Sequence, residues 1–297
     1  MIDAIEHLKT FIDSIIINSY NFANSCFKYG KYKNLLSSNV EFKDKHKNER
    51  CFILGNGPSL NNVDFSNLKG EYIFTVNQLY KNIRYSELHS NYHIWTDPVF
   101  FNMSDKERLS NDYVKEFYKI NTANHRPICF MPVQAQEYVD FLKLEKELDI
   151  HYLNTCLTFC DNINSSCDFT RLVPSFSTVV INTIQLAVYM GFKEIYLLGC
   201  DCTGIVGMID KEQDKQIKSY AYKLSDRDIV LMDNDFEKAF EGWAKIFHQY
   251  KWIGKICKKK GIDLINCTEN SILNVITYKS LKCILDGTDD DSYMGTV

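Results

Sequence analysis

A chain of 297 residues, 45% hydrophobic and 24% charged, is long enough for one large α/β domain and too apolar for wholesale disorder. Its formal net charge of −4 gives no support to nucleic-acid binding driven by bulk charge, so no nucleic-acid partner is expected. The eleven cysteines show no paired metal-ligand spacing and read as reduced thiols, most of them filling core positions.

Residues 2–30 have a helical rhythm, with Ile5, Leu8, Ile12, Ile15 and Ile16 near one face. Asp3, Glu6 and Asp13 interrupt the pattern of a secretory leader, and no apolar run approaches the length of a membrane span. The expected location is therefore cytoplasmic. Lys28, Lys31, Lys33, Lys43, Lys45, Lys47 and Arg50 follow the apolar stripe. Two readings stay open for this arm: a helix packed on its own domain with a solvated basic linker, or a peripheral contact with an anionic membrane.

The organising stretch is 51–60. Cys51, Phe52, Ile53 and Leu54 form an apolar run too short for a soluble helix and suited to a buried strand. Gly55, Asn56, Gly57, Pro58 and Ser59 follow at once. The glycines permit a sharp turn and close approach of a ligand, Pro58 can open a helical turn, and backbone N–H groups at such a turn can cradle phosphate. Beyond it, strand-like segments at 72–76, 92–96, 128–131, 151–153, 195–198 and 263–265 alternate with helix-like ones. The latter fall at 104–119, 133–148, 177–190, 235–260 and 270–284. This alternation predicts an α/β, Rossmann-like, doubly wound and mainly parallel sheet.

Ligands of such sheets bind beyond the C-terminal ends of the strands. That rule selects Asn56, Gly57, Pro58 and Ser59, then Asn77 and Gln78, Asp97, and Asp201. Ser177 and Thr178 stand before an apolar helix, as a cap or as hydroxyls beside an anion. Residues 203–235 break the pattern and read as a lid carrying Tyr220 and Tyr222. The stripe Phe236, Phe240, Trp243, Phe247, Tyr250 and Ile253 reads as core. The expected organisation is a helical arm and basic linker over 1–48, a Rossmann-like domain over 49–285, and an acidic tail over 286–297.

The blocks at 51–60, 75–78, 96–98 and 177–201 resemble two related groups of proteins. These are the CMP-sialic acid-dependent sialyltransferases of the Campylobacter type and the MptE-like proteins related to 6-hydroxymethylpterin diphosphokinase. The wording of 184–199 and 261–268 is similar to the second group. The resemblance implies that Asn56, Gly57, Ser59, Asn77 and Gln78 hold the CMP part of a donor. It also implies that Ser177 and Thr178 lie near its phosphate or sugar, and that Tyr220 or Tyr222 stabilises the leaving phosphate without a metal. The sialyltransferases place a histidine base after the lid tyrosine, whereas here no histidine occurs between Tyr222 and His248. The base is then His248 or, preferred here, a strand-end carboxylate, Asp201 or Asp97.

The activity expected on this basis is a glycosyltransferase of surface-glycan or lipopolysaccharide synthesis. It would take a CMP-activated sialic or related acid as donor, a glycan or lipid-linked saccharide as acceptor, and no cofactor. One alternative is a diphosphokinase moving pyrophosphate from ATP to a pterin alcohol, with Mg²⁺ held by Asp97 and Asp201. Another is a non-catalytic nucleotide-sugar-binding subunit.

Overall fold

The computed structural model describes residues 2–104, 115–118, 126–163, 167–205, 220–222 and 235–288. Most of the helix expected over 104–119, most of the 203–235 lid and the tail beyond 288 lie outside the described residues.

Among the described residues eight strands form one sheet: β1 (Arg50–Leu54), β2 (Tyr72–Val76), β3 (Tyr92–Ile94), β4 (Ile128–Pro132), β5 (Ile150–Leu157), β6 (Leu172–Pro174), β7 (Glu194–Leu198) and β8 (Asp263–Asn266). Their order is β6-β5-β4-β3-β2-β1-β7-β8, and every pairing is parallel. The chain winds outward from β1 to β6, returns, and continues from β7 to β8 on the other side. The fold is the Rossmann-like doubly wound sheet that the alternation predicts.

Cys51, Phe52, Ile53 and Leu54 are all fully buried because β1 is covered on both faces. Alternation sorts them. Cys51 and Ile53 join Phe74, Val76, Ile195 and Leu197 in one hydrophobic layer. Phe52 and Leu54 join Ile73, Tyr196 and Leu198 in the other. The first layer is covered by helices α3 (Val179–Tyr189) and α4 (Phe236–Lys259). The second is covered by short 3₁₀ turns and by α2 (Gln136–Leu142). A last helix, α5 (Leu281–Asp286), closes the described chain.

Three local expectations change. β6 has three residues and ends in Pro174, so no apolar run announces it. The helix expected over 133–148 is broken at Lys143, whose φ is +56°. The helix expected over 270–284 shrinks to α5, because the backbone before it bonds elsewhere: the Ile272 N–H donates to the Asp201 carbonyl (3.0 Å).

The N-terminal helix α1 (Ile2–Ser37) lies against β5, and its end is built into the fold. Leu36 and Phe42 are fully buried, and the Asn39 amide donates to the Tyr152 and Phe169 carbonyls, each at 2.8 Å. Residues 44–48 then satisfy the carbonyls left open where α3 ends. The N–H groups of Asp44, His46 and Asn48 donate to Tyr189, Met190 and Gly191 (3.1, 2.8 and 3.2 Å). Gly191, at φ +90°, makes that turn possible. Among the described residues, no helix is long and apolar enough to cross a membrane.

Candidate functional site

The strand order reverses between β1 and β7, and a crevice at such a reversal is where open α/β sheets bind ligands. A cavity of about 520 Å³ opens there, within the range of small-molecule sites. It is walled by the loops after β1, β2, β3 and β7, by the start of α3, and by one side of α4.

The turn after β1 clasps the turn after β7. Gly55 donates its N–H to the Leu198 carbonyl and Gly57 donates to the Gly199 carbonyl, both at 2.8 Å. A Cβ at Gly55 would stand 2.5 Å from the Gly199 oxygen, and a Cβ at Gly57 would stand 1.7 Å from Oδ2 of Asp201. Ser59 completes the clasp: its N–H donates to Oδ1 of Asp201 (3.1 Å) and its hydroxyl to Oδ2 (2.8 Å). The glycines thus admit the neighbouring loop, and the N–H groups of Gly55, Gly57 and Ser59 are spent inside the protein. The phosphate cradle expected from those donors is corrected to a loop that offers the cavity its side chains.

Asp201 is 7% exposed, and burial pushes its carboxyl above the usual range, opposed by the Ser59 hydroxyl. Asn56 and Asn77 both line the cavity, and their Oδ1 atoms are buried without a hydrogen-bond partner among the described residues. Asn77 holds φ at +47°, a left-handed conformation that asparagine tolerates better than most residues. Its carbonyl accepts from Nε2 of His93 (2.9 Å), which fixes the proton on that nitrogen, and Nδ1 of His93 then accepts from the Thr75 hydroxyl (2.8 Å).

On the opposite wall Thr178 caps α3, accepting from the Val180 N–H (3.4 Å), while the Ser177 N–H donates to Oε1 of Gln249 (2.9 Å). Both line the cavity at the positive end of the helix dipole. Tyr220 lines it as well. Its neighbour Ala221 is pinned, donating to the Asn56 carbonyl (2.8 Å) and accepting from the Asn82 amide (2.7 Å).

The cavity therefore gathers Asn56, Gly57, Asn77, Asp97, Ser177, Thr178, Asp201 and Tyr220. Pro58, Ser59, Gln78 and Tyr222 stand behind its wall. Pro58 opens a 3₁₀ turn, Ser59 holds Asp201, and the Tyr222 hydroxyl donates to Oε1 of buried Gln78 (3.3 Å). His248 is not in the lining; its Nε2 pairs with Oδ1 of Asp161 at 2.5 Å on a half-exposed surface. Asp97 is exposed and caps the turn Pro98–Phe101.

The aromatic stripe of α4 is corrected in part. Tyr250 and Ile253 are core, Trp243, Ile246 and Tyr250 also wall the cavity, and Phe236 and Phe240 are 45% and 49% exposed. Helical spacing finds an apolar stripe but does not distinguish a core face from a cavity wall. Tyr250 and Cys200 are deeply buried side by side, and burial pushes up both the phenol and the thiol.

Magnesium is usually held by one or two carboxylates, with substrate phosphates completing its shell. Asp97 and Asp201 open on the same cavity, but β3 and β7 are three strand spacings apart, roughly 14 Å. One ion shared between these strand ends does not fit. One carboxylate with nucleotide phosphates does, and Asp97 is the exposed one.

The sialyltransferase CstII from Campylobacter jejuni, solved with cytidine-5′-monophosphate, is 19% identical, covering 78% of this chain and 85% of that one with a TM-score of 0.44. The monofunctional alpha-2,3-sialyltransferase Cst-I from the same organism is 17% identical, covering 77% and 79%, with a TM-score of 0.44. The MAf glycosyltransferase from Magnetospirillum magneticum AMB-1 is 11% identical, covering 88% of this chain and 39% of that one, with a TM-score of 0.46. No curated protein matches the chain. The family described as 6-hydroxymethylpterin diphosphokinase MptE-like matches residues 28–205. That match spans more than half of the chain and includes the loops after β1, β2, β3 and β7, so the chain belongs to the MptE-like family.

Proposed function

We propose that the chain is a nucleotide-dependent transferase, and that pyrophosphoryl transfer from ATP to an alcohol such as a pterin alcohol is its best-supported activity. The observation that carries this reading is the family match over 28–205, which contains most of the cavity wall. Asn56 and Asn77, with unsatisfied amide oxygens, would bind the nucleoside. The start of α3, with Ser177 and Thr178, would face phosphate. Asp97 would hold a magnesium ion, which when bound supplies charge neutralisation to the phosphates.

Asp201 would act as general base. Its raised pKa brings it nearer to working pH than an ordinary carboxylate. The acceptor hydroxyl would give its proton to the carboxylate while its oxygen attacks the β-phosphorus. The bond from that phosphorus to the bridging α,β oxygen breaks, and AMP leaves.

A second reading is glycosyl transfer from a CMP-sugar, and Tyr220 favours it. This tyrosine reaches the cavity because Ala221 is anchored on the Asn56 carbonyl, and its hydroxyl would stabilise a leaving CMP phosphate. Turnover assays with ATP plus a pterin alcohol, and with CMP-sialic acid plus a saccharide, each with and without EDTA, separate the two. ATP turnover abolished by EDTA supports the first reading. CMP release that survives EDTA supports the second.

A further inference from the structure

The long helix α1 is mounted with its polar face inward. Ser14, Ile17, Asn18, Asn21, Asn24 and Ser25 form the side turned toward the domain. Asn21 makes the attachment: its amide donates to the Thr158 carbonyl (2.8 Å) and its Oδ1 accepts from the Thr158 N–H (2.9 Å). The apolar residues lie on the other side. Leu8, Phe11, Ile12, Ile15, Ile16 and Phe22 are 46–74% exposed. Amphipathic helices of globular proteins ordinarily do the reverse, so this face is left for something else to cover.

Three observations choose the occupant. Leu8, Ile12, Ile15, Ser19, Phe22 and Cys26 recur at spacings of four, three, four, three and four, the alternation of a coiled-coil seam. Between Leu8 and Cys26 the charged residues are Lys9 and Asp13, which cancel, so nothing along the seam attracts an anionic lipid surface. The exposed area of the six apolar residues, roughly 700 Å² per chain, is the most a partner could cover here and is of the order of the ~800 Å² per partner of a standard interface.

We infer that α1 pairs with α1 of a second copy of this chain, seam to seam, each helix carrying its own α/β domain on its outer, polar side. This inference is independent of the activity proposed above.

The test is sedimentation of the full chain over a range of concentrations. It is run beside Ile12→Glu/Ile15→Glu and beside the milder Leu8→Gln/Ile12→Gln, with far-UV circular dichroism and flotation on phosphatidylglycerol vesicles. The wild type should give a discrete species at twice the chain mass of 34.6 kDa. Both variants should retain their fold and sediment as monomers, and the wild type should not float with vesicles. A wild-type monomer at high concentration would overturn the pairing, as would folded variants that keep the wild-type oligomer. A monomer that floats with vesicles would assign the face to a membrane instead.

Discussion

Gly57 and Asp201, from loops 144 residues apart in sequence, share one space: the Asp201 carboxylate occupies the position a Gly57 side chain would take, with 1.7 Å between that Cβ and Oδ2. Asp201 cannot retreat freely, because Ser59 holds both of its oxygens and the Gly199 carbonyl lies 2.7 Å from the same Cβ. Gly57→Ala should therefore cost about 1–3 kcal/mol of stability, in the range of overpacking, and should also lower turnover by displacing Asp201. Chemical denaturation beside a rate assay checks this. Unchanged stability and rate would mean the two loops part easily.

Ser59→Ala removes the hydroxyl that lowers the Asp201 pKa. The carboxyl should then titrate still higher. With Asp201 as base, the acidic limb of the pH–rate profile should move to higher pH, while Asp201→Asn should lose about 10²–10⁴-fold in rate. A Ser59→Ala profile superimposable on the wild type would remove Asp201 from that role.

His93 is fully buried, and burial holds its pKa down at about 3, against 6.5 in the unfolded chain. The unfolded state therefore binds a proton that the native state refuses. The sign follows: the native advantage is complete above pH 6.5 and is lost as pH falls toward 3, by up to about 1.4 kcal/mol per pH unit. His46 and His151, also lowered by burial, act in the same direction. His93→Gln should flatten the acid side of a Tm-against-pH curve, with any repacking cost against Trp95 and Phe117 appearing at all pH values. An equally steep acid limb in that variant would assign acid lability to other groups.

The sheet and the strand-end loops were legible because their signals are local. Short apolar runs such as 51–54 and 195–198 suit buried parallel strands, and polar residues directly after them must fall on one rim. What stayed hidden depends on partners distant in sequence. Gly57 reads as a ligand contact until Asp201 is seen filling its space. Tyr250 reads as core because a stripe at helical spacing looks the same on a cavity wall. His93 gives no signal at all, since its task is to hold the Asn77 carbonyl. The apolar stripe of α1 was visible, but not the choice of Asn21 over Ile12 as the side that meets the domain.

The end of α1 and the segment after it should be indispensable to folding. Phe42 is fully buried, its ring 5.0 Å from Phe130 and 4.6 Å from His151. Phe42→Ala should cost about 3–5 kcal/mol. Deletion of residues 1–48 would also leave the last carbonyls of α3 unpaired, and the product should be insoluble or lack a cooperative melt. A deletion protein that melts like the wild type would show that the segment is an appendage.

The most direct measurement is calorimetric titration of ATP and CMP, each with and without Mg²⁺, into the wild type and into Asn77→Gly. Glycine keeps the left-handed backbone at 77 and removes only the amide that faces the cavity. One nucleotide should bind the wild type with 1:1 stoichiometry, and Asn77→Gly, folded, should bind it about 5- to 100-fold more weakly, the loss of one buried hydrogen bond. A wild type that binds neither nucleotide, or a folded Asn77→Gly that binds as tightly as the wild type, would contradict a nucleotide site at the β1–β7 crevice.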